Sequence, residues 1–527
     1  MGFAHEYATA IVRRGRYPME PADFVPDWAD RPRKGKHFPG AAAFPLPPAV
    51  PAPGATVQRG LFGPEQAGAF TLPLLAGMLQ ESYGLVGRRL AVQANSDLGT
   101  LPMYTQANWS RGTASGGGLY PVGVHWIAGP SGPLTPGVYY YDTPHHALRR
   151  LLAGDATHEV RAALGAGEWG TCDQFLVLGV RFWQNAFKYN SFSYHVVTMD
   201  TGALLQTWRI WARAHGLHIG PAFWFDEARL GRLLGLAEAE EGVFAVVPLR
   251  WEGAAPAAPG PGGAAPRVRY ADQERSRTTM TFETVRRMHA ATLEQAAQRP
   301  QAGTLDAALA PPVPDGGERT PLPAPRALDT PVGAALRARR SSFGRFQATR
   351  AMPADALATV LAAVDAAGRL GSDTETPGGG PLSRSYVFVN HVAGVEPGSY
   401  LHDRRDGSLR RISAGPPGGF LQSNYFLANY NLEQAAAVIV PAARTHAVLD
   451  AVGDRGYRLV NAVIGGISQA VYTASAAAGL SCGVALGFDA ISFTEELALD
   501  ETGEVPLLIM MIGHERPRPA DFRYEIA

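Results

Sequence analysis

The chain has 527 residues, 46% of them hydrophobic and 18% charged, which gives enough apolar material for two or three cores and too much for a disordered protein. Lys+Arg and Asp+Glu number 47 each, so the formal charge is zero, which argues against a nucleic-acid-binding body or a basic membrane-surface protein. Two cysteines, Cys172 and Cys482, exclude a disulfide framework and a multi-cysteine zinc site; with no signal-type N-terminus and no long apolar run, the expectation is a soluble, cytoplasmic chain without a metal.

In chain order, RGTASGGGLYPVGVHW (111–126) comes first among segments that could carry chemistry. Ser115, Gly116 and Gly117 precede a strand rather than a helix, so they form no phosphate-cradling P-loop; successive glycines instead let backbone amides approach a flat ligand. GVHWIAG, GVYYYD and HALRRL then read as a strand meander, with His145-His146 in an exposed turn. FLVLGV (175–180) reads as a buried strand. FKYNSFSYH follows it, and places Lys188 beside Tyr189, where a cation could lower a phenol's pKa toward that of a usable base. On a regular strand such neighbours point to opposite faces, so the pair converges only on irregular backbone. A helix within 193–226 carries Leu204, Trp208, Trp211 and Ala212 on its apolar face, and Gly216 closes it as a C-cap. FAVVPLRW (244–251) closes the first half.

Pro/Ala/Gly-rich stretches then mark a connector, 253–325, carrying one helical segment at 279–298 with Phe282, Val285, Met288 and Leu293 on one face. ARRSSFGRF (338–346) gathers Arg339, Arg340, Ser341 and Arg345, a donor set suited to a phosphate. YVFVNHV, GSYLHD, SLRRI and AVIVPAA repeat the strand signals of the first half, and VPLLIMMIG (505–513) repeats its closing strand. Cys482 reads as a small buried residue.

An internal repeat sets the architecture. Residues 193–226 align without a gap to 456–489 at an offset of 263, with eleven identities in 34 positions, among them Tyr194/Tyr457, Gly202/Gly465 and Gln206/Gln469. A second block pairs 136–151 with 397–412 at an offset of 261. The fold class is therefore α+β in two tandem copies: 1–252, the connector 253–325, and 326–527. Lys188 and Tyr189 face Ala451 and Val452 in the repeat, so the pair is no part of the shared framework.

These pieces resemble the nitroreductase-like flavoproteins, and more narrowly the SagB/ThcOx-type azoline dehydrogenases of ribosomal-peptide biosynthesis. The resemblance rests on an opening pattern (His5-Glu6, Asp27-Trp28, Arg31-Pro32, Lys36, Phe38-Pro39), the R-x-x-x-S-G-G-x-x-Y-P loop and the Lys-Tyr pair. In the second half it rests on the Arg-Arg-Ser entry, GLSCGVALGFD and the closing GHERPRP. Ala114 stands where the subfamily often has Pro, and the second half has PGGGPL without the Tyr-Pro.

The resemblance implies two nitroreductase-like domains folded as an intramolecular pseudo-dimer around one composite FMN site. The second half would supply Arg339, Arg340, Ser341, Arg345 and Gly487; the first half would supply Ser115, Gly116, Gly117, Lys188 and Tyr189. Tyr189 would be the base and Lys188 its electrostatic partner. The implied reaction oxidises thiazoline or oxazoline rings of a precursor peptide, with O2 as final acceptor and a cyclodehydratase complex as possible partner. An NAD(P)H-dependent nitro or quinone reductase, and a flavin-free peptide-binding scaffold, stand as alternatives.

Overall fold

The computed structural model describes residues 2–90, 107–165, 169–254, 265–516 and 523–525. The β-branched and aromatic runs of the first half pair into a six-stranded antiparallel sheet. Its order is Ala43–Pro45, Ala147–Ala153, Gly137–Asp142, Val122–Ala128, Gln174–Arg181, Glu241–Pro248. The second half builds a sheet in the order Ser481–Ala485, Ile509–Gly513, Ala437–Ala443, Ser383–Val389, Gly398–Asp403, Ser408–Ala414, with Val505–Pro506 also on Ala437–Ala443; the connector, expected to carry only a helix, adds the edge strand Arg319–Thr320 as its eighth. Five strands of each sheet follow the same order.

The duplication extends to irregularities. The register shifts between Val138 and Tyr139 in one sheet and between Ser399 and Tyr400 in the other, 261 residues on. Beside each bulge a tyrosine hydroxyl donates to the carbonyl four residues upstream, Tyr139 to Thr135 (2.5 Å) and Tyr400 to Glu396 (2.6 Å). A bulge that recurs at one repeat position is part of the inherited design of a strand pair. VPLLIMMIG is not one strand: Leu507 and Leu508 interrupt it between Val505–Pro506 and Ile509–Gly513.

Two 22-residue helices, Ser193–Ala214 and Gly456–Ala477, form the centre. Each is buried almost all round rather than on one face, because each lies between its own sheet and the other helix. Glycines permit the crossing. A side chain at Gly202 would collide with the carbonyl of Ala462, and one at Gly465 with that of Met199, a reciprocal contact across a pseudo-twofold axis. The axis is marked again by Val57 N–H bonding to Thr330 O (2.9 Å) and Val332 N–H to Ala55 O (2.8 Å). Trp208 and Trp211 are core residues, their indoles donating to Ser82 Oγ and Glu81 Oε2.

The connector helix is shorter than the sequence suggests, Glu283–Leu293, and its buried face runs through Val285, Met288, His289 and Thr292, leaving Leu293 half-buried. His289 and Thr292 turn inward because they meet Arg458 of the second core helix. Among the described residues no helix is long and apolar enough to cross a membrane.

Candidate active site

A cavity of about 510 Å³ opens where the two halves meet. Sites for cofactor-sized ligands commonly span about 300–1,000 Å³. Of the sequence-nominated residues, Ser115, Gly116, Gly117, Lys188, Tyr189, Arg339, Arg340, Ser341 and Gly487 line it; Arg345 does not.

On the first-half side, the Ser115–Gly118 loop turns through positive φ at Gly117 and Gly118, both 64°, before the strand Val122–Ala128 begins. Gly117 has a second reason to be glycine: a Cβ there would stand 2.7 Å from the Tyr189 hydroxyl and 2.9 Å from Lys188 Nζ. The Lys-Tyr pair ends the short helix Trp183–Tyr189, which closes at Asn190 with φ 40°. A helix end, unlike a strand, lets both neighbours reach one cavity, and the ammonium sits 4.9 Å from the Tyr189 ring centroid.

The expected electrostatics are reversed. Burial, reinforced by Asp200 and opposed by Arg14, pushes the Tyr189 phenol well above its usual range. Burial lowers Lys188. Those directions weigh against Tyr189 as the base, and they let the Lys188 amine give up its proton more readily than an exposed lysine would.

On the second-half side, the Arg339 guanidinium spends two donors on the first half, Nε on Gly112 O (2.7 Å) and Nη2 on Arg111 O (3.0 Å). It fastens the base of the Gly-rich loop to the Arg339–Ser341 segment. Gln469, on the second core helix, adds to this by accepting from Ala114 N–H (2.9 Å). Arg340 pairs with Glu515 (2.9 Å), which also accepts from Ser481 (2.7 Å), and Ser341 shares a hydrogen bond with Tyr472 (2.8 Å). Gly487 reaches the cavity on the Val484–Gly487 segment, and its carbonyl holds Phe426 N–H (2.8 Å) in the rim loop.

Sequence reasoning passed over Asp200, Arg14, Lys34 and Tyr472. Asp200 accepts from Ser115 Oγ (2.6 Å) and Gly116 N–H (2.8 Å), pinning the loop. Its counterpart is Val463, so an acid on an otherwise apolar helix face was the available signal. Burial pushes the Asp200 carboxyl up to about 7 against those two hydrogen bonds. The folded chain therefore keeps a proton that the unfolded chain releases near about pH 4, and stability falls as pH rises from there to about 7. Asp200→Asn is expected to flatten that segment of the profile, read by chemical denaturation at both ends of the window; an unchanged slope would show that another group titrates.

The mirror position is filled. Thr376–Gly380, equivalent to the Ser115 loop, leaves only about 20 Å³. Arg369 donates to the carbonyls of Thr376 (2.6 Å) and Gly379 (3.0 Å), and Leu305 and Leu309 of the connector pack there. Counting from the paired helix starts Val57 and Val332, Glu65 stands at the register of Arg340, and it is ion-paired with Arg213 (2.6 Å). Of the remaining candidates, His146 bonds Tyr141 (2.9 Å) and Pro47 O (3.0 Å), His145 bonds Asp142 (3.0 Å), and Cys482 is buried. Lys36 of the opening pattern is ion-paired with Glu241.

Residues 336–514 match the Nitroreductase family. The whole chain is similar in fold to a candidate nitroreductase from Anabaena variabilis, with a TM-score of 0.69 and 20% identity, covering 98% of this chain and 100% of that one. A candidate nitroreductase from Ralstonia eutropha matches at TM-score 0.27 and 20% identity over 42% of this chain and 95% of that one. The Escherichia coli microcin synthetase complex with truncated precursor bound matches at TM-score 0.24 and 22% identity over 30% and 59%. The last two are too low in TM-score to bear on function. No curated protein matches the chain. The fold is a mixed α+β tandem of nitroreductase type.

Proposed function

We propose that this chain, which carries a Nitroreductase-family domain at residues 336–514, is an FMN-dependent dehydrogenase that oxidises thiazoline or oxazoline rings of a ribosomally made precursor peptide to thiazoles or oxazoles. The observation that carries the reading is the meeting of Lys188 and Tyr189 with Gly117 in a cavity built by both halves.

The residues fit the cofactor. Arg340 and Ser341, with Arg339 behind them, offer charged and hydroxyl donors to a phosphate, and the Ser115–Gly118 loop offers a surface free of side chains to a flat ring. FMN, when bound, supplies the two-electron acceptor that O2 reoxidises. The chain's own part is proton handling and placement. Lys188, lowered by burial, takes the ring proton as a neutral amine, and Tyr189 donates its O–H to the ring heteroatom and holds it in place. Asp200 keeps the Ser115 loop in register with both. The precursor peptide and a cyclodehydratase complex are the partners of this reading, and the cytoplasm its place.

Flavin content tests the composite site. About one FMN per chain is expected, released on denaturation and identified by absorbance; two would reopen the mirror position, and none after incubation with excess FMN would end the reading. The family match favours a second reading, an NAD(P)H-dependent nitro or quinone reductase. Rapid bleaching of bound flavin by NAD(P)H, with no oxidation of azoline peptides, would select it.

A further inference from the structure

The cavity wall holds five cations, Arg14, Lys34, Lys188, Arg339 and Arg340, and one acid, Asp200. Asp200 is committed to the Ser115 loop and Arg340 to Glu515. A phosphate at the Arg340–Ser341 corner would still leave the opposite wall without a counter-charge. There Arg14, just past the helix Phe3–Arg13, lies with its guanidinium 3.9 Å from the Phe192 ring centroid. Lys34 lies 5.8 Å over Tyr120, its own carbonyl held by Arg111 (2.7 Å). Among the described residues neither has a carboxylate partner.

Their surroundings oppose that charge. Burial lowers Arg14 to about 10. Desolvation against the cavity wall, then the charges of Arg111, Arg31 and Lys188, brings Lys34 down to about 8, although its side chain still reaches solvent. Crowded cations kept at a cavity wall attract an anion, and the desolvated setting strengthens that attraction. The rim beside them is apolar, with Trp109, Phe426 and Leu427 each about half exposed and lining the opening.

We infer that the substrate is anionic, a carboxylate-bearing segment next to the reacting ring, and that Arg14 and Lys34 recognise this charge while Trp109, Phe426 and Leu427 cover the apolar part. The inference rests on the azoline reading only for the choice of probe.

The test is calorimetric titration of the flavin-loaded chain with thiazole-4-carboxylate and with thiazole-4-carboxamide. The carboxylate is expected to bind at least about tenfold tighter, a margin that shrinks as salt is raised. Arg14→Gln and Lys34→Gln should each remove most of that margin and leave amide binding unchanged. Because Lys34 is exposed, Lys34→Gln remains informative if Arg14→Gln fails to fold. Equal affinity for the two compounds, or a margin that survives both substitutions, overturns the inference. So does a margin left intact while the substitutions shift the flavin midpoint potential, since the cations would then serve the reduced cofactor. If the chain takes up no flavin the azoline reading falls, and the same titration on the flavin-free chain still decides this one. A clear carboxylate margin without oxidation of azoline peptides would retire that reading alone.

Discussion

Lys188→Met is expected to lower the rate of azoline oxidation by about 10²- to 10⁴-fold while flavin stays bound, the range over which a positioned acid or base acts. Lys188 lies on the first-half wall, away from the Arg340–Ser341 corner, so cofactor retention and turnover separate cleanly. The measurement is anaerobic flavin bleaching on mixing with a thiazoline peptide, which isolates the oxidation half-reaction from reoxidation. Tyr189→Phe should cost less, since it removes a hydrogen bond and not the proton acceptor. The pH dependence follows from the direction of the shift: activity rises with pH through an apparent pKa below that of an exposed lysine, and Lys188→Met abolishes that rise. Unimpaired bleaching in Lys188→Met would remove the residue from the mechanism.

Glu227→Gln is expected to destabilise the fold by about 3–5 kcal/mol, the cost of breaking a buried ion pair from one side. Glu227, Arg455 and Arg458 are all nearly inaccessible to solvent. Glu227 Oε2 accepts from both guanidinium groups at 2.8 Å, and Oε1 accepts from Val243 N–H at 2.9 Å. Arg458 also donates to Tyr194 Oη (2.8 Å) and to Thr292 Oγ1 (2.7 Å) of the connector helix, and Arg455 to Phe223 O (2.6 Å). One carboxylate thus ties together the first half, the connector and the second half. Burial alone would raise Glu227, but Arg458 and Arg455, with His289, outweigh it and hold the carboxyl at about 2. A depressed carboxyl stabilises the fold above its unfolded pKa, near about 4.3, and that contribution is lost as pH falls toward about 2. Denaturant melts of the wild type should therefore weaken over that acid window, and those of Glu227→Gln should weaken less, since Asp403 and other depressed carboxyls still titrate there. A denaturant midpoint unchanged by the substitution would contradict the account.

The repeat made the architecture legible before any coordinates. Tyr194/Tyr457 and Gly202/Gly465 turned out to lie in the two core helices, and the strand runs fell in the same order in both sheets. Comparing the copies also singled out Lys188 and Tyr189, because Ala451 and Val452 cannot do their chemistry. What stayed hidden depends on long-range encounter. Lys34 reads as one more surface cation in a Pro- and Lys-rich segment until Arg111 anchors its carbonyl beside the cavity. The raised phenol and lowered amine of the Lys-Tyr pair are a matter of burial, which local sequence does not report. Arg345 has the right chemistry in the right segment, but the chain turns away after Phe343 (φ 38°) and Gly344 (φ 47°), and Arg345 does not line the cavity.

The unequal pair of cavities bears on how such a protein can change over generations. In an assembly of two identical chains each codon is read at both symmetry-related positions, so a substitution that shuts one recess shuts both. Here Glu65 and Arg340, or Val463 and Asp200, are written separately. One copy can give up its recess and persist as scaffold while the other specialises. The open cavity, though lined from both copies, is also indifferent to dilution, because its two walls are synthesised together in a fixed ratio of one to one.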